Sequence, residues 1–165
     1  MALLKPLPAS LRIGDPVAFI ATWFGAGLMS KAPGTWGSLA AIPPAWLIYY
    51  FGGAEALLVA GCAAFAIGIW AAGAYAKAAG NPDPSQVVID EVAALWLILA
   101  MVAPTALGWV AAFICFRVFD VLKPWPVSLA DRKIKGGFGI MLDDIVAAIY
   151  AMLVLLVLRQ FVEGI

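Results

Sequence analysis

The chain has 165 residues, of which 65% are hydrophobic and only 12% are charged, and its ten basic residues balance its ten acidic residues. Soluble domains are about half hydrophobic and about a quarter charged, so this composition excludes a disordered chain and a basic nucleic-acid-binding module, and it predicts that part of the surface faces lipid. The chain contains no histidine, which excludes histidine-dependent triads, phosphohistidine intermediates and histidine-ligated metals.

The distribution of charge-free runs predicts an all-α integral-membrane protein made of one domain, 1–165, with an N-terminal tail at 1–15. The first run, 16–30, is too short to cross a bilayer upright and predicts an interfacial or re-entrant helix. The second run, 32–54, has prolines and glycines near its start, so we expect its helix to begin near Ser38.

Three further apolar runs follow, at 56–76, 92–116 and 145–158. The run 56–76 is expected to return the chain to the side of the membrane from which the preceding span started. Pro104 lies near the middle of 92–116, which is therefore either one kinked span or a hairpin of two short helices. The hairpin would gather nearly every charge at one face, including half of the basic residues, which lie at 117–135. This positive charge predicts that the face is cytoplasmic.

Four polar segments interrupt the apolar sequence, and the first is 31–38. Its glycines allow backbone amides to turn inward ahead of a helix, and its basic and hydroxyl side chains suit a phosphate. A tight loop with a serine N-cap is the alternative that needs no ligand. The predicted phosphate-binding residues of this segment are Lys31, Gly34, Thr35, Gly37 and Ser38.

The second polar segment is Asp90-Glu91, which is surrounded by valine, isoleucine and leucine. The residues from Asp83 onward are typical of an N-cap followed by a helix that starts at Pro84, which would place both acids two turns inside it. Acids in an apolar setting near a membrane are costly and usually functional. The structural alternative is that each acid is paired with a lysine or an arginine.

The third and fourth polar segments lie in the second half of the chain. Arg117, Asp120 and Lys123 follow one another at intervals of three residues and can share one helical face, which is also the pattern of a surface ion-pair ladder. Asp143 and Asp144 directly precede an apolar run, where they could cap a helix. Two adjacent acids are more than capping requires.

Together the segments supply five carboxylates with lysine and arginine beside them and no histidine. Oxygen-only ligands of this kind suit Mg²⁺, which usually meets phosphate as a further ligand. Magnesium with cationic side chains is the recurrent apparatus of phosphoryl chemistry. At a membrane face, this combination predicts a phosphorylated lipid as the substrate. A Cys-x5-Arg phosphatase loop is absent, because the residues six positions after the two cysteines are Gly68 and Val121.

Four ordered motifs between residues 15 and 158 closely resemble the phosphatidylglycerophosphatase A family. They are Lys31-Ala-Pro-Gly-Thr-Trp-Gly-Ser38, Asp83-Pro-x4-Ile-Asp90-Glu91, Arg117-x-Phe-Asp-x-x-Lys-Pro-x-Pro126 and Lys135-Gly-Gly-Phe-Gly-Ile-Met-Leu-Asp-Asp144. The resemblance implies a Mg²⁺-dependent phosphatase of the bacterial inner membrane that converts phosphatidylglycerophosphate to phosphatidylglycerol and inorganic phosphate. It also implies about six helices, one of them central, in a multi-pass protein whose active site faces the cytoplasm.

On this interpretation each polar segment has a role in the site. The expected metal ligands are Asp90, Glu91, Asp143 and Asp144. The first segment holds the phosphate, and Arg117 or Lys123 assists it. Asp120 either orients the attacking water or attacks phosphorus itself as a nucleophile. The alternative function is a small transporter or ion-binding protein whose acidic pairs hold a cation, although no internal repeat typical of transporters is found. Nothing in the sequence points to a nucleic acid or to an obligatory protein partner.

Overall fold

The computed structural model describes residues 3–125 and 134–164, and every regular element in those ranges is helical. This confirms the predicted all-α class for the described part of the chain. Pro126 and part of the basic segment 117–135 lie outside the described residues. The elements are α1 (Pro16–Ala21), a short 3₁₀ helix (Ala26–Leu28), α2 (Pro33–Ala79), α3 (Ile89–Leu99), α4 (Ala106–Leu122) and α5 (Gly136–Leu158).

Helix α2 is divided into two arms by a break at Gly53, where φ is 69° and ψ is −168°. Glycine adopts this backbone geometry without the steric cost of a side chain. The first arm passes Val88 and then Trp96 of the α3 region, whereas the second arm passes Leu97 and then Ile89. The two arms therefore run in opposite directions along α3, as the out-and-back interpretation of the sequence predicts.

The start of α2 differs from the prediction. The helix begins at Pro33, five residues before the expected start near Ser38. Proline is well suited to the first helical position because its missing N–H would have no partner there. The residue before it, Ala32, has a φ of 47°, so a non-glycine residue in the left-handed region forms the entry to the helix.

Helix α3 is the most enclosed element, and within it only Asp90 and Leu97 are half-buried rather than buried. It begins at Ile89, so the predicted start at Pro84 is wrong. The reason is tertiary: the amide of Val88 donates to the carbonyl oxygen of Ala21 at 2.9 Å, which holds the preceding residues against α1 instead of in a helical turn. The acidic pair consequently lies in the first turn of α3, not two turns inside a helix.

The α3–α4 pair is a hairpin rather than one kinked span. The helices are separated by a turn at 100–105 that contains Pro104, and Thr105 caps α4 by accepting a hydrogen bond from the Gly108 amide at 2.9 Å. At the other end of the hairpin, Arg117 of α4 contacts Glu91 of α3. The hairpin thus brings Arg117, in the third polar segment, next to Glu91, in the second polar segment.

Helix α5 begins at Gly136, so its acidic pair lies two turns inside the helix and does not cap it. The glycines before this pair are part of the helix, and they allow α5 to cross α2 closely. A Cβ on Gly137 would lie 1.9 Å from the carbonyl oxygen of Ile69. Among the described helices, α2 and α5 are long and apolar enough to cross a membrane, which is consistent with a membrane protein.

Candidate active site

The four polar segments meet in one open cleft of about 340 Å³, at the end of the molecule where α2 and α3 begin and α4 ends. The α2 break and the α3–α4 hairpin bring residues that are distant in the sequence together at this end. The charged side chains that line the cleft are Asp83, Asp90, Glu91, Arg117, Asp120, Lys123, Asp143 and Asp144.

Three carboxylates form a tight cluster in this cleft. One oxygen each from Asp90, Glu91 and Asp144 lies within 4.8 Å of the other two. In two of these residues one carboxylate oxygen, Glu91 Oε2 and Asp144 Oδ2, is buried without a hydrogen-bond partner among the described residues. Burying such groups without a partner is costly, so the cluster has unused ligand capacity that points to a cation.

The electrostatics of the cluster agree with this conclusion. The first turn of α3 lies outside the two candidate membrane spans. Burial raises the pKa of Asp90 well above its usual range, and the nearby charges of Glu91 and Asp143 raise it further. Burial also raises the pKa of Glu91 to about 8; Asp120 adds to the shift, while Arg117 opposes it. A donor set made only of carboxylate oxygens fits a hard divalent cation such as Mg²⁺.

Arg117 links α3 to α4 at the edge of the acidic cluster. Its Nη1 lies 3.4 Å from Glu91 Oε1 and also donates a close hydrogen bond to Asp120 Oδ2. Arg117 and Asp120 are three residues apart on α4, so they share one helical face as the spacing predicts. A guanidinium has five N–H donors, and these contacts use only one nitrogen.

Lys123 and Asp143 form a second ion pair in the cleft. Lys123 Nζ lies 2.7 Å from Asp143 Oδ2. Lys123 ends α4 with a φ of 42°, in the left-handed region. The sequence predicts Asp143 as a metal ligand together with the other three acids. In the structure, the Asp143 carboxylate contacts Lys123, and oxygens of the other three acids form the cluster.

Gly34 connects the first polar segment to the acidic cluster. A Cβ at this position would lie 1.9 Å from Glu91 Oε1 and 3.0 Å from Arg117 Nη1. A side chain at this position would therefore displace the Glu91 carboxylate or the start of α2. Lys31 is exposed near this edge of the cleft, and Thr35 is half-buried in the first turn of α2.

Two residues predicted to bind phosphate lie in the body of α2 instead of a loop. Gly37 faces Val88, and a Cβ there would be 2.6 Å from the Cβ of Val88. Ser38 is buried, and its Oγ donates to the carbonyl oxygen of Gly34 at 2.9 Å. Because the helix begins at Pro33, the amides left without an intrahelical partner are those of the first turn, at Gly34 and Thr35.

The cleft also contains residues that the sequence did not assign to the site. Asp83, Pro84 and Ser85 line it, and Ser85 Oγ lies 2.7 Å from Lys5 Nζ. The sequence pattern predicts only a helix start for these residues. Their place in the second motif, ahead of the acidic pair, is the signal that could have assigned them to the site.

Comparison with known proteins finds a matching family model and two relatives that carry the same name. Residues 19–159, a range that contains every predicted site residue, match the family model described as Phosphatidylglycerophosphatase A. The chain is 36% identical over 148 residues to Phosphatidylglycerophosphatase A of Haemophilus influenzae, covering 89% of this chain and 91% of the relative. It is 39% identical over 140 residues to Phosphatidylglycerophosphatase A of Escherichia coli strain K12, covering 84% and 81%.

A third relative has a different name. The chain is 38% identical over 149 residues to a protein of Bacteroides thetaiotaomicron named "Putative phosphatidylinositol-3-phosphatase", covering 85% of this chain and 91% of the relative. No solved structure matches the chain.

Proposed function

Because the chain belongs to the phosphatidylglycerophosphatase A family, we propose that it hydrolyses the phosphomonoester of phosphatidylglycerophosphate, giving phosphatidylglycerol and inorganic phosphate. The observation that supports this most strongly is the convergence of three carboxylates with Arg117 in one cleft. Carboxylates that hold a cation, beside a guanidinium that binds phosphate, are the parts that phosphoryl transfer requires.

The proposed cofactor is Mg²⁺, held by Asp90, Glu91 and Asp144. The unpartnered oxygens of Glu91 and Asp144 supply ligand positions, and a cation would relieve the repulsion within the cluster. When bound, the ion would screen the phosphate charge and acidify the attacking water. Asp143, paired with Lys123, would position that lysine at the edge of the site.

The phosphate would be held at the start of α2. The first-turn amides of Gly34 and Thr35 point from a helix N-terminus, where backbone donors and the helix dipole favour an anion. The remaining N–H groups of Arg117 would contact the equatorial oxygens, where charge must be stabilised in the transition state. Lys31 and Lys123 would add positive charge at the rim.

Asp120 is the acid we propose for proton transfer. Its hydrogen bond from Arg117 fixes the carboxylate on the cleft side of α4. There it would accept a proton from the attacking water and orient that water toward phosphorus. In the alternative route, Asp120 would attack phosphorus directly and form a covalent intermediate.

The proposed location is the bacterial inner membrane, in a multi-pass bundle of about six helices with the cleft at its cytoplasmic end. The two arms of α2 and the whole of α5 provide the apolar segments that would cross the bilayer. The basic residues near the cleft favour the cytoplasmic side.

Phosphate release by the purified protein in detergent micelles tests this proposal. We expect phosphatidylglycerophosphate to be hydrolysed with Mg²⁺ and not with EDTA. Phosphatidylinositol 3-phosphate, which the third relative's name suggests, should be assayed in parallel to test headgroup preference. A folded protein that hydrolyses neither lipid, but binds a divalent cation, would instead support the transporter or ion-binding alternative.

A further inference from the structure

An apolar groove of about 450 Å³ lies between the first arm of α2 and α4. Leu39, Ile42 and Trp46 form its α2 wall, and Val110 and Phe113 form part of its α4 wall. Residues of the α3–α4 turn at 104–106 line the end that is farther from the cleft. The groove is a separate cavity from the polar cleft, and the proposed chemistry does not use it.

The groove begins next to the cleft. Leu39 follows Gly34 by five residues on α2, and Phe113 precedes Arg117 by four residues on α4. Residues four apart share a helical face, so Phe113 lies one turn below Arg117 on the same side of α4. The groove wall therefore begins about one helical turn, roughly 6 Å, from Arg117, a distance that a lipid molecule bound in the cleft spans.

The depth of the groove corresponds to one leaflet of a bilayer. Arg117 and Ala106 are eleven residues apart on α4, which is about 17 Å at the helical rise. Half the thickness of the hydrocarbon core is about 15 Å. An acyl chain that starts beside the cleft would thus reach the turn at 104–106.

We propose that this groove holds one acyl chain of the lipid whose phosphomonoester occupies the cleft, and that the turn at 104–106 limits the length of that chain. This inference rests on the proposed function, since only a phosphorylated lipid brings a phosphate and a hydrocarbon chain on one molecule. The side chains at Val110 and Ala106 then determine which chain lengths bind.

Substitutions that fill the groove test the proposal. Val110→Phe would block it at mid-depth, and Ala106→Phe would shorten it at its end. Leu107→Phe is the matched control, because Leu107 is next to Ala106 in sequence, is 50% exposed and does not line the groove. The substrates are dihexanoyl and dipalmitoyl phosphatidylglycerophosphate, assayed in the same detergent at the same surface mole fraction.

We expect Val110→Phe to lower kcat/KM for the dipalmitoyl lipid about tenfold relative to the dihexanoyl lipid, because overpacking excludes the long chain. Ala106→Phe should lower the same ratio by a smaller factor, and Leu107→Phe should leave it unchanged. Retained hydrolysis of the dihexanoyl lipid shows that each variant is folded and that the site is intact.

An unchanged ratio in both groove variants would overturn the acyl-chain proposal while the phosphatase function stands. An equal loss in Leu107→Phe would also overturn it, because the effect would then come from the outer surface. Failure of the unsubstituted protein to hydrolyse either lipid would instead contradict the proposed function.

Discussion

Gly34 of α2 lies directly against the carboxylate of Glu91 of α3, so close that a Cβ at position 34 would be 1.9 Å from Oε1. This contact joins the N-terminus of α2 to the acidic cluster. A helix end with free amides thus lies beside the carboxylates that are expected to hold a cation. Phosphate and cation sites that share an edge are what a phosphomonoesterase needs.

Gly34→Ala tests this contact. Alanine normally stabilises a helix by about 0.5–1 kcal/mol relative to glycine, so the helix itself should tolerate the change. The new methyl group must displace the Glu91 carboxylate or the start of α2, and a shift of about 1 Å in an active site can reduce kcat/KM about 100-fold. Gly14→Ala is the control, because no atom lies within 4 Å of a Cβ at that position. Equal turnover in both variants would contradict the proposed close approach.

Arg117→Lys tests the guanidinium. Lysine keeps the charge but cannot hold Glu91 and Asp120 together while presenting further planar donors to a phosphate. We expect kcat/KM to fall about tenfold to 100-fold, since charge-assisted, bidentate contacts are lost. Arg159→Lys, at the end of α5, is the matched control. If Arg117→Lys retains full activity, Arg117 supplies only general positive charge.

The stereochemical course at phosphorus separates the two roles proposed for Asp120. Direct attack by water inverts the configuration, whereas attack by Asp120 followed by hydrolysis retains it. We expect inversion with a chiral thiophosphate substrate, because the hydrogen bond from Arg117 holds Asp120 as an oriented acceptor. Retention would establish the covalent route and contradict the assignment of Asp120 as the base.

Cysteine labelling tests the orientation of the fold in the membrane. Ser30 and Ser85 lie at the cleft end, and Glu55 follows the α2 break at the other end. In a variant without Cys62 and Cys115, cysteines at the first two positions should react with an impermeant thiol reagent only from the cytoplasmic side. A cysteine at position 55 should react from the opposite side. Labelling of Ser30→Cys and Ser85→Cys from different sides would exclude a shared cleft.

Several features of the fold follow from the sequence because they depend on charge and length. Apolar runs separated by polar segments predict the all-α class, and placing nearly every charge at one membrane face favours the hairpin at Pro104 over one kinked span. The same argument brings the acids of α3 and α5 together with Arg117. These predictions hold because burying a charge in an apolar environment is costly wherever it occurs.

The start of α2 differs from the prediction, and the acidic pair of α5 does not cap its helix, for the same physical reason. By local propensity the glycines before Ser38 and before Asp143 suggest loops, although both stretches are helical in the structure. Local propensity disfavours glycine in helices, but close contact with another backbone requires it. Gly137 against Ile69 is such a contact, and it is visible only once the helices are packed.

The central claim is that Asp90, Glu91 and Asp144 form the catalytic centre of a lipid phosphomonoesterase. The most direct test follows phosphatidylglycerophosphate by ³¹P NMR with Mg²⁺ and compares the unsubstituted protein with Asp144→Asn, using Glu55→Gln as a control for a distant acid. We predict that the phosphomonoester resonance converts to inorganic phosphate while the phosphodiester resonance persists. Asp144→Asn should be slower by about 10³-fold, because the transition-state charge is no longer stabilised. Comparable turnover in Asp144→Asn, or loss of the phosphodiester resonance, would contradict the claim.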